Sequence, residues 1–250
     1  MNKVDIIERS IYTQICSHDG IKAKDIGKGI QADRHTINQY LYKAPFMREL
    51  CYRDDKYQWH GLIRQTRPHT GLGDFCGYYG TVKEFLQLDE EEWFTCMKEG
   101  CGRIGRNLND TRGLFHSFRD SWSVMHSLFE DLEGIWQDTW EICFELRINR
   151  AKYIRIYADV LVITEDKVFS LEFKMKDKIE EEEVAQAAKY VAYQEVIFGP
   201  EYDVIPCLVL TKTSDLYTYQ NLKKTTAEIP VCSGDMLFNL FDEYLGFLEK

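Results

Sequence analysis

The chain has 250 residues, 44% of them hydrophobic and 29% charged, with a net charge of −10 at pH 7. That composition suits a globular core of one large domain or two smaller ones, and the acidity argues against a protein that coats nucleic acid without regard to sequence. No apolar run approaches the ~20 residues of a membrane span, and MNKVDIIERS lacks the apolar stretch of a signal peptide, so a cytoplasmic protein with no membrane partner is expected.

In chain order, Val4, Ile7, Ile11 and Ile15 fall at helical spacing within 4–17. A turn at His18-Asp19-Gly20 separates this helix from a second, short one at 23–30. Asp33 then reads as the N-cap of a third helix, DRHTINQYLYK, with Ile37, Tyr40 and Leu41 facing inward. After Pro45, RELCYR and KYQWHG read as extended pieces with Asp54-Asp55 turning between them. Residues 1–60 carry ten Lys/Arg and eight Asp/Glu, a net +2, so the remainder carries −12.

Three helices and a hairpin in this order resemble a winged helix-turn-helix domain. In that family the third helix enters the DNA major groove. The resemblance implies base- and phosphate-facing roles for Arg34, His35, Asn38, Gln39 and Lys43, with Tyr42 beside them and Arg53 and Lys56 on the wing. Asn and Gln pair with adenine and Arg with guanine. The alternative use of such a domain is docking to another protein.

Residues 61–115 read as a connector with one or two helices, in which Gly-rich HTGLGDFCGYYG precedes TVKEFLQLDEEEWFTCMKEG. Cys96 and Cys101, with Cys76 and His69 upstream, lack the second tight ligand pair of a structural zinc site. Eight scattered cysteines in a chain of this length are expected to be reduced and mostly buried.

From residue 116 the pattern sharpens. HSFRDSWSVMHSLFEDL places Phe118, Trp122, Met125, Phe129 and Leu132 on one helical face. Strand candidates follow at WEICFELRI, YIRIYADVLVI and KVFSLEFK. A helix, EEVAQAAKYVAYQEVIF, turns Val184, Ala187, Ala188, Val191 and Ala192 inward. The strand VIPCLVL comes next, and GDMLFNLFDEYLGFLEK closes the chain as a helix. The core order is α-β-β-β-α-β.

In the hairpin at 158–174, a symmetric turn centred on Glu165-Asp166 pairs Ile163 with Val168. The same register opposes Asp159 and Glu172, with Cβ atoms about 5 Å apart. Alternation puts Glu172 and Lys174 on one face and turns Phe173 away. Two facing carboxylates destabilise a sheet unless a cation joins them, and a hard divalent ion prefers carboxylate oxygens. A metal-bound water beside a lysine suits phosphodiester hydrolysis. The plain structural alternative is an Asp159–Lys174 ion pair at the end of a sheet.

Asp159 followed by Glu172-Phe173-Lys174 on consecutive strands resembles the PD-(D/E)XK, restriction-endonuclease-like nucleases over roughly residues 116–212. Ala158 stands where the motif name has proline. Gln186-Ala-Ala-Lys-Tyr190 is similar to the Gln-x-x-x-Tyr element of the branch containing the RecB and Cas4 nucleases. The resemblance implies an α/β (α+β) fold with a mixed central sheet. It implies Mg²⁺ or Mn²⁺ held by Asp159, Glu172 and the Phe173 carbonyl, a water assisted by Lys174, and a site supported by Gln186 and Tyr190. That branch often carries an iron–sulfur cluster, but only the separated Cys207 and Cys232 follow the helix here, so none is expected. Glu145 on the preceding strand and Glu130 on the first core helix are each candidates for a further metal contact or plain surface acids, and Arg155, on the face of Asp159, is a candidate for touching phosphate or a plain surface arginine.

The resulting expectation is a winged helix at 1–60, a connector at 61–115 and a metal-dependent endonuclease domain at 116–250. DNA is favoured as substrate, in restriction, anti-phage defence or repair, as a homodimer or within a larger complex. Two alternatives stand beside it: a non-catalytic DNA-binding subunit on the same scaffold, and a nuclease active only with a partner.

Overall fold

The computed structural model describes residues 6–18, 20–62, 69–106, 108, 112–148, 156–222 and 228–247. The expected Val4 and Arg155, and Asp19 of the first turn, lie outside them. Four helices open the chain: α1 (Ile6–Cys16), α2 (Ala23–Ile30), α3 (Arg34–Lys43) and α4 (Pro45–Leu50). Asp33 caps α3 by accepting the N–H groups of His35 and Thr36 at 2.8 and 3.0 Å. Ile11, Ile15, Ile37 and Leu41 are buried, whereas Ile7, expected inward, is 37% exposed. A ribbon of β1 (Cys51–Arg53) and β2 (Trp59–Gly61) completes this unit.

Residues 48–50, read as extended, belong to α4. Pro45 at its first position carries a φ suited to a helix start and no N–H to satisfy, so the chain makes a further turn of helix before the ribbon.

The expected connector also contributes an edge strand, β3 (Tyr78–Thr81), before α5 (Val82–Gln87) and α6 (Glu90–Ile104). α7 (Arg112–Asp131), β4 (Glu141–Arg147), β5 (Tyr157–Ile163), β6 (Lys167–Lys174), α8 (Glu181–Phe198) and β7 (Asp203–Leu210) give the expected α-β-β-β-α-β order. Two strands not expected follow, β8 (Tyr217–Asn221) and β9 (Glu228–Ser233), and α9 (Leu237–Leu245) closes the described chain. Pro230 lies within β9, although central strands disfavour proline. It sits just before the first β7 rung, Leu208↔Val231, where its missing N–H breaks no pairing of that ladder.

The seven strands form one mixed sheet in the order β3-β4-β5-β6-β7-β9-β8. β3 to β6 run antiparallel, while β6, β7 and β9 are parallel. The fold is mixed α/β. Strand alternation splits the core. Val160, Val162, Phe169, Leu171 and Phe173 pack with α5, α6, α7 and α9 on one face. Leu161, Ile163 and Val168 pack on the other with α8 and the N-terminal helices. Arg9 of α1 donates to the Gly199 carbonyl just past α8 at 2.8 Å. Among the described residues, no helix is long and apolar enough to cross a membrane.

Candidate functional site

The hairpin forms in the expected register, from Ile163↔Val168 to Val160↔Leu171. Continued one step, that register sets Asp159 against Glu172. At this step the ladder gives way to a side-chain bond: the Phe173 N–H donates to Asp159 Oδ2 at 2.8 Å. Phe173 itself is buried in the opposite face of the sheet, so Glu172 and Lys174 point together toward α8.

Lys174 Nζ lies 2.7 Å from Glu172 Oε1. From α8, Gln186 Nε2 donates to the same oxygen at 2.6 Å and to the Tyr190 hydroxyl at 2.7 Å. Helical spacing of four residues brings Gln186 and Tyr190 onto one face, and that face covers the acids. Asp159, Glu172, Lys174, Gln186 and Tyr190 all line one cleft of about 540 Å³.

Glu145, a candidate for a further metal contact, and Arg106, which nothing in the sequence singled out, join them. Phe144↔Val160 and Leu146↔Ala158 are rungs of the β4–β5 ladder, and Glu145 stands between them, level with Asp159. Three acids of three neighbouring strands therefore lie in one row. Glu145 adopts φ +54°, a left-handed conformation that costs a non-glycine residue about 1–3 kcal/mol. Its Oε2 lies 2.9 Å from Arg106 Nε, and Arg106 also lines the cleft.

Burial is the largest influence on each acid. It pushes the Glu172 carboxyl up to about 8, with the Asp159 charge adding and Lys174 opposing. Glu145 is likewise pushed to about 8, with Asp159 adding and Arg106 opposing. Burial raises Asp159 too, against Lys174, the Phe173 N–H and Arg106. For Lys174 burial disfavours the ammonium, but Glu172 and Asp159 outweigh it and leave the pKa above its ordinary value. Lys174 is thus a cation at neutral pH.

The donor set fits a hard divalent cation. Glu172 Oε2 is buried with no hydrogen-bond partner, a costly state that a cation relieves. Among the described residues no three His, Cys, Asp or Glu side chains converge as a metal-holding group. A cation here would rest on Asp159, Glu172, the Phe173 carbonyl and water, as the loosely held Mg²⁺ sites of phosphoryl chemistry do.

The remaining candidates lie elsewhere. Glu130, on α7, is 66% exposed and pairs with His126 at 3.2 Å rather than with the row of acids. Cys96 is exposed, Cys76 and Cys101 are buried, and the buried His69 pairs with Glu141. Cys207 and Cys232, far apart in sequence, bring their sulfurs to 3.6 Å inside the sheet. On α3, Arg34, His35, Gln39, Tyr42 and Lys43 are exposed and Asn38 is half-buried. His35 and Gln39 bond to each other at 2.9 Å. Arg53 donates to the Tyr42 hydroxyl at 2.5 Å and lies over the Tyr57 ring, while Lys56 is exposed.

No protein-family model and no curated protein matches this chain. Among solved structures, the crystal structure of protein VC1899 from Vibrio cholerae aligns with 97% of this chain and 51% of its own, at 10% identity and a TM-score of 0.29. The chain thus spans about half the length of that structure.

Proposed function

We propose that this protein is a metal-dependent nuclease of the PD-(D/E)XK type that hydrolyses phosphodiester bonds, with DNA its favoured substrate. The observation that carries the reading is the joint placement of Asp159, Glu172 and Lys174, with one Glu172 oxygen buried and unpartnered, in a cleft open to solvent. A structural ion pair alone would not require three acids in one row or an orphaned carboxylate oxygen.

Asp159, Glu172 and the Phe173 carbonyl would hold Mg²⁺ or Mn²⁺. When bound, such an ion lowers the pKa of water and neutralises charge on phosphoryl oxygens. In the reaction a water oxygen bonds to phosphorus and releases a proton to solvent, the bond between phosphorus and the departing sugar oxygen breaks, and that oxygen takes up a proton from solvent. Lys174, held as an ammonium, donates to the attacking water and stabilises the negative charge growing on the phosphoryl group. Gln186 holds Glu172 Oε1, which would leave the unpartnered Oε2 to the ion. Tyr190 in turn fixes Gln186, and such supporting bonds typically weigh 10–100-fold in affinity or activity.

The N-terminal unit is read as a winged helix whose α3 presents Arg34, His35, Asn38, Gln39 and Lys43 to nucleic acid. A DNA-reading module joined to a nuclease suits restriction, anti-phage defence or repair. Incubation with plasmid, single-stranded DNA and RNA in Mg²⁺, Mn²⁺ or EDTA tests the reading and ranks the substrates. Cutting in EDTA equal to that in Mg²⁺ would refute it.

A further inference from the structure

α6 ends on Gly105, whose φ of +70° closes the helix and lets the Arg106 N–H reach back to the Cys101 carbonyl at 2.9 Å. This left-handed cap turns the chain so that the Arg106 side chain enters the cleft. There its guanidinium carbon sits 4.4 Å from the centre of the Tyr157 ring, and Nε faces Glu145 at 2.9 Å. No described residue takes a hydrogen bond from its two terminal amino groups. A guanidinium stacked on an aromatic face and steered by a carboxylate turns its outer edge to an incoming oxyanion.

The charge balance of the cleft indicates which anion. Asp159, Glu172 and Glu182 line it together with Lys174, Lys189 and Arg106, and Lys174 already serves Glu172. Beyond the metal that Asp159 and Glu172 would hold, Arg106 is the lining cation fixed by its own neighbours, Glu145 and Tyr157, while Lys189 is exposed on α8. Resting on the nuclease reading, we propose that Arg106 binds a non-bridging phosphate oxygen of the strand being cut, and that Glu145 and Tyr157 position it to do so. The ligand class is the nucleic-acid backbone itself, so the contact carries no base preference.

The competing role for Arg106 is only to neutralise buried Glu145. Removing Arg106 alone would strand that acid, so the test uses Arg106→Gln/Glu145→Gln beside Glu145→Gln. Expected is a further loss of about ten- to hundredfold in kcat/KM for the double variant over the single, the range for a charged hydrogen bond. Arg106→Lys should restore part of it. The melting temperature and the calorimetric Mg²⁺ affinity of the double variant should match those of the single, which separates phosphate binding from support of the metal site. Arg119→Gln removes an equal charge from a surface pair with Glu90 and Glu91 and should stay within about twofold of wild type. Equal kcat/KM for double and single variants would overturn the inference and leave the nuclease reading standing. Wild type that cuts none of plasmid, single-stranded DNA or RNA with either metal would overturn that reading, and this inference with it.

Discussion

The Asp159 carboxylate accepts the Phe173 N–H at 2.8 Å, so the acid of one strand is tied to the backbone of the strand that carries the other. Glu172 precedes Phe173 and Lys174 follows it. One bond therefore sets the spacing of both carboxylates and the ammonium, and Gln186 adds a second constraint from α8. Pre-set geometry of this kind is what a catalytic site needs, since groups that must reorganise during the reaction lose much of their effect.

The acid row predicts how stability responds to pH. Glu145 and Glu172 have folded values pushed to about 8 from an ordinary 4.5. Between those values the folded, metal-free protein binds protons that the unfolded chain has released, so stability falls as pH rises through the window. Mg²⁺ needs the ionised acids. It should therefore raise the melting temperature more near pH 8 than near pH 6. Glu172→Gln should lose most of that Mg²⁺-linked rise and flatten the pH slope of the metal-free protein. Thermal scans at both pH values decide it, and identical slopes for variant and wild type would count against the raised acids.

The extent to which this arrangement was legible depended on local rules. The β5–β6 hairpin could be placed residue by residue because a symmetric turn centred on Glu165-Asp166 fixes the register, and one slip would flip every side chain. Gln186 and Tyr190, singled out by the resemblance, fall on one helical face by their spacing. Glu145 could not be paired with Asp159, because no short turn joins β4 to β5 and fixes their register. Arg106 showed only as the residue after a glycine, with nothing local to say that the helix would end at the cleft. β3, at four residues among glycines, was too short to read as a strand, and α4 was hidden by the extended look of RELCYR.

A second pair anchors the sheet away from the cleft. Buried Glu141 accepts from the His69 N–H at 2.8 Å and from the Tyr79 hydroxyl at 2.6 Å, and it pairs with the His69 ring. Burial raises the Glu141 carboxyl, but His69 and Tyr79 together outweigh it and leave the value below the ordinary one. Its contribution is present at neutral pH and is lost as pH falls through the folded value. His69→Ala removes the ring but leaves the backbone N–H and the Tyr79 hydroxyl on the acid, and should cost about 1–3 kcal/mol in urea unfolding. A loss below about 1 kcal/mol would show the pair to be incidental.

The N-terminal unit makes a separate prediction. Replacing Arg34, Asn38 and Lys43 with alanine removes two charges and one amide from the outer side of α3. DNA affinity should fall about tenfold or more at moderate salt. The melting temperature should stay near that of wild type, because the α3 core contacts through Ile37 and Leu41 are untouched. Fluorescence anisotropy with duplex DNA measures the loss, and unchanged affinity would point to α3 as a protein-docking surface.

The most direct test of the central claim compares cleavage by wild type and Lys174→Ala in Mg²⁺, with calorimetric Mg²⁺ titration of both. Expected are metal-dependent cutting by wild type, a loss of about 10²–10³-fold in the variant, and Mg²⁺ binding retained by both. Wild type that neither cuts nucleic acid nor binds Mg²⁺, or a variant that cuts as fast as wild type, would contradict that claim.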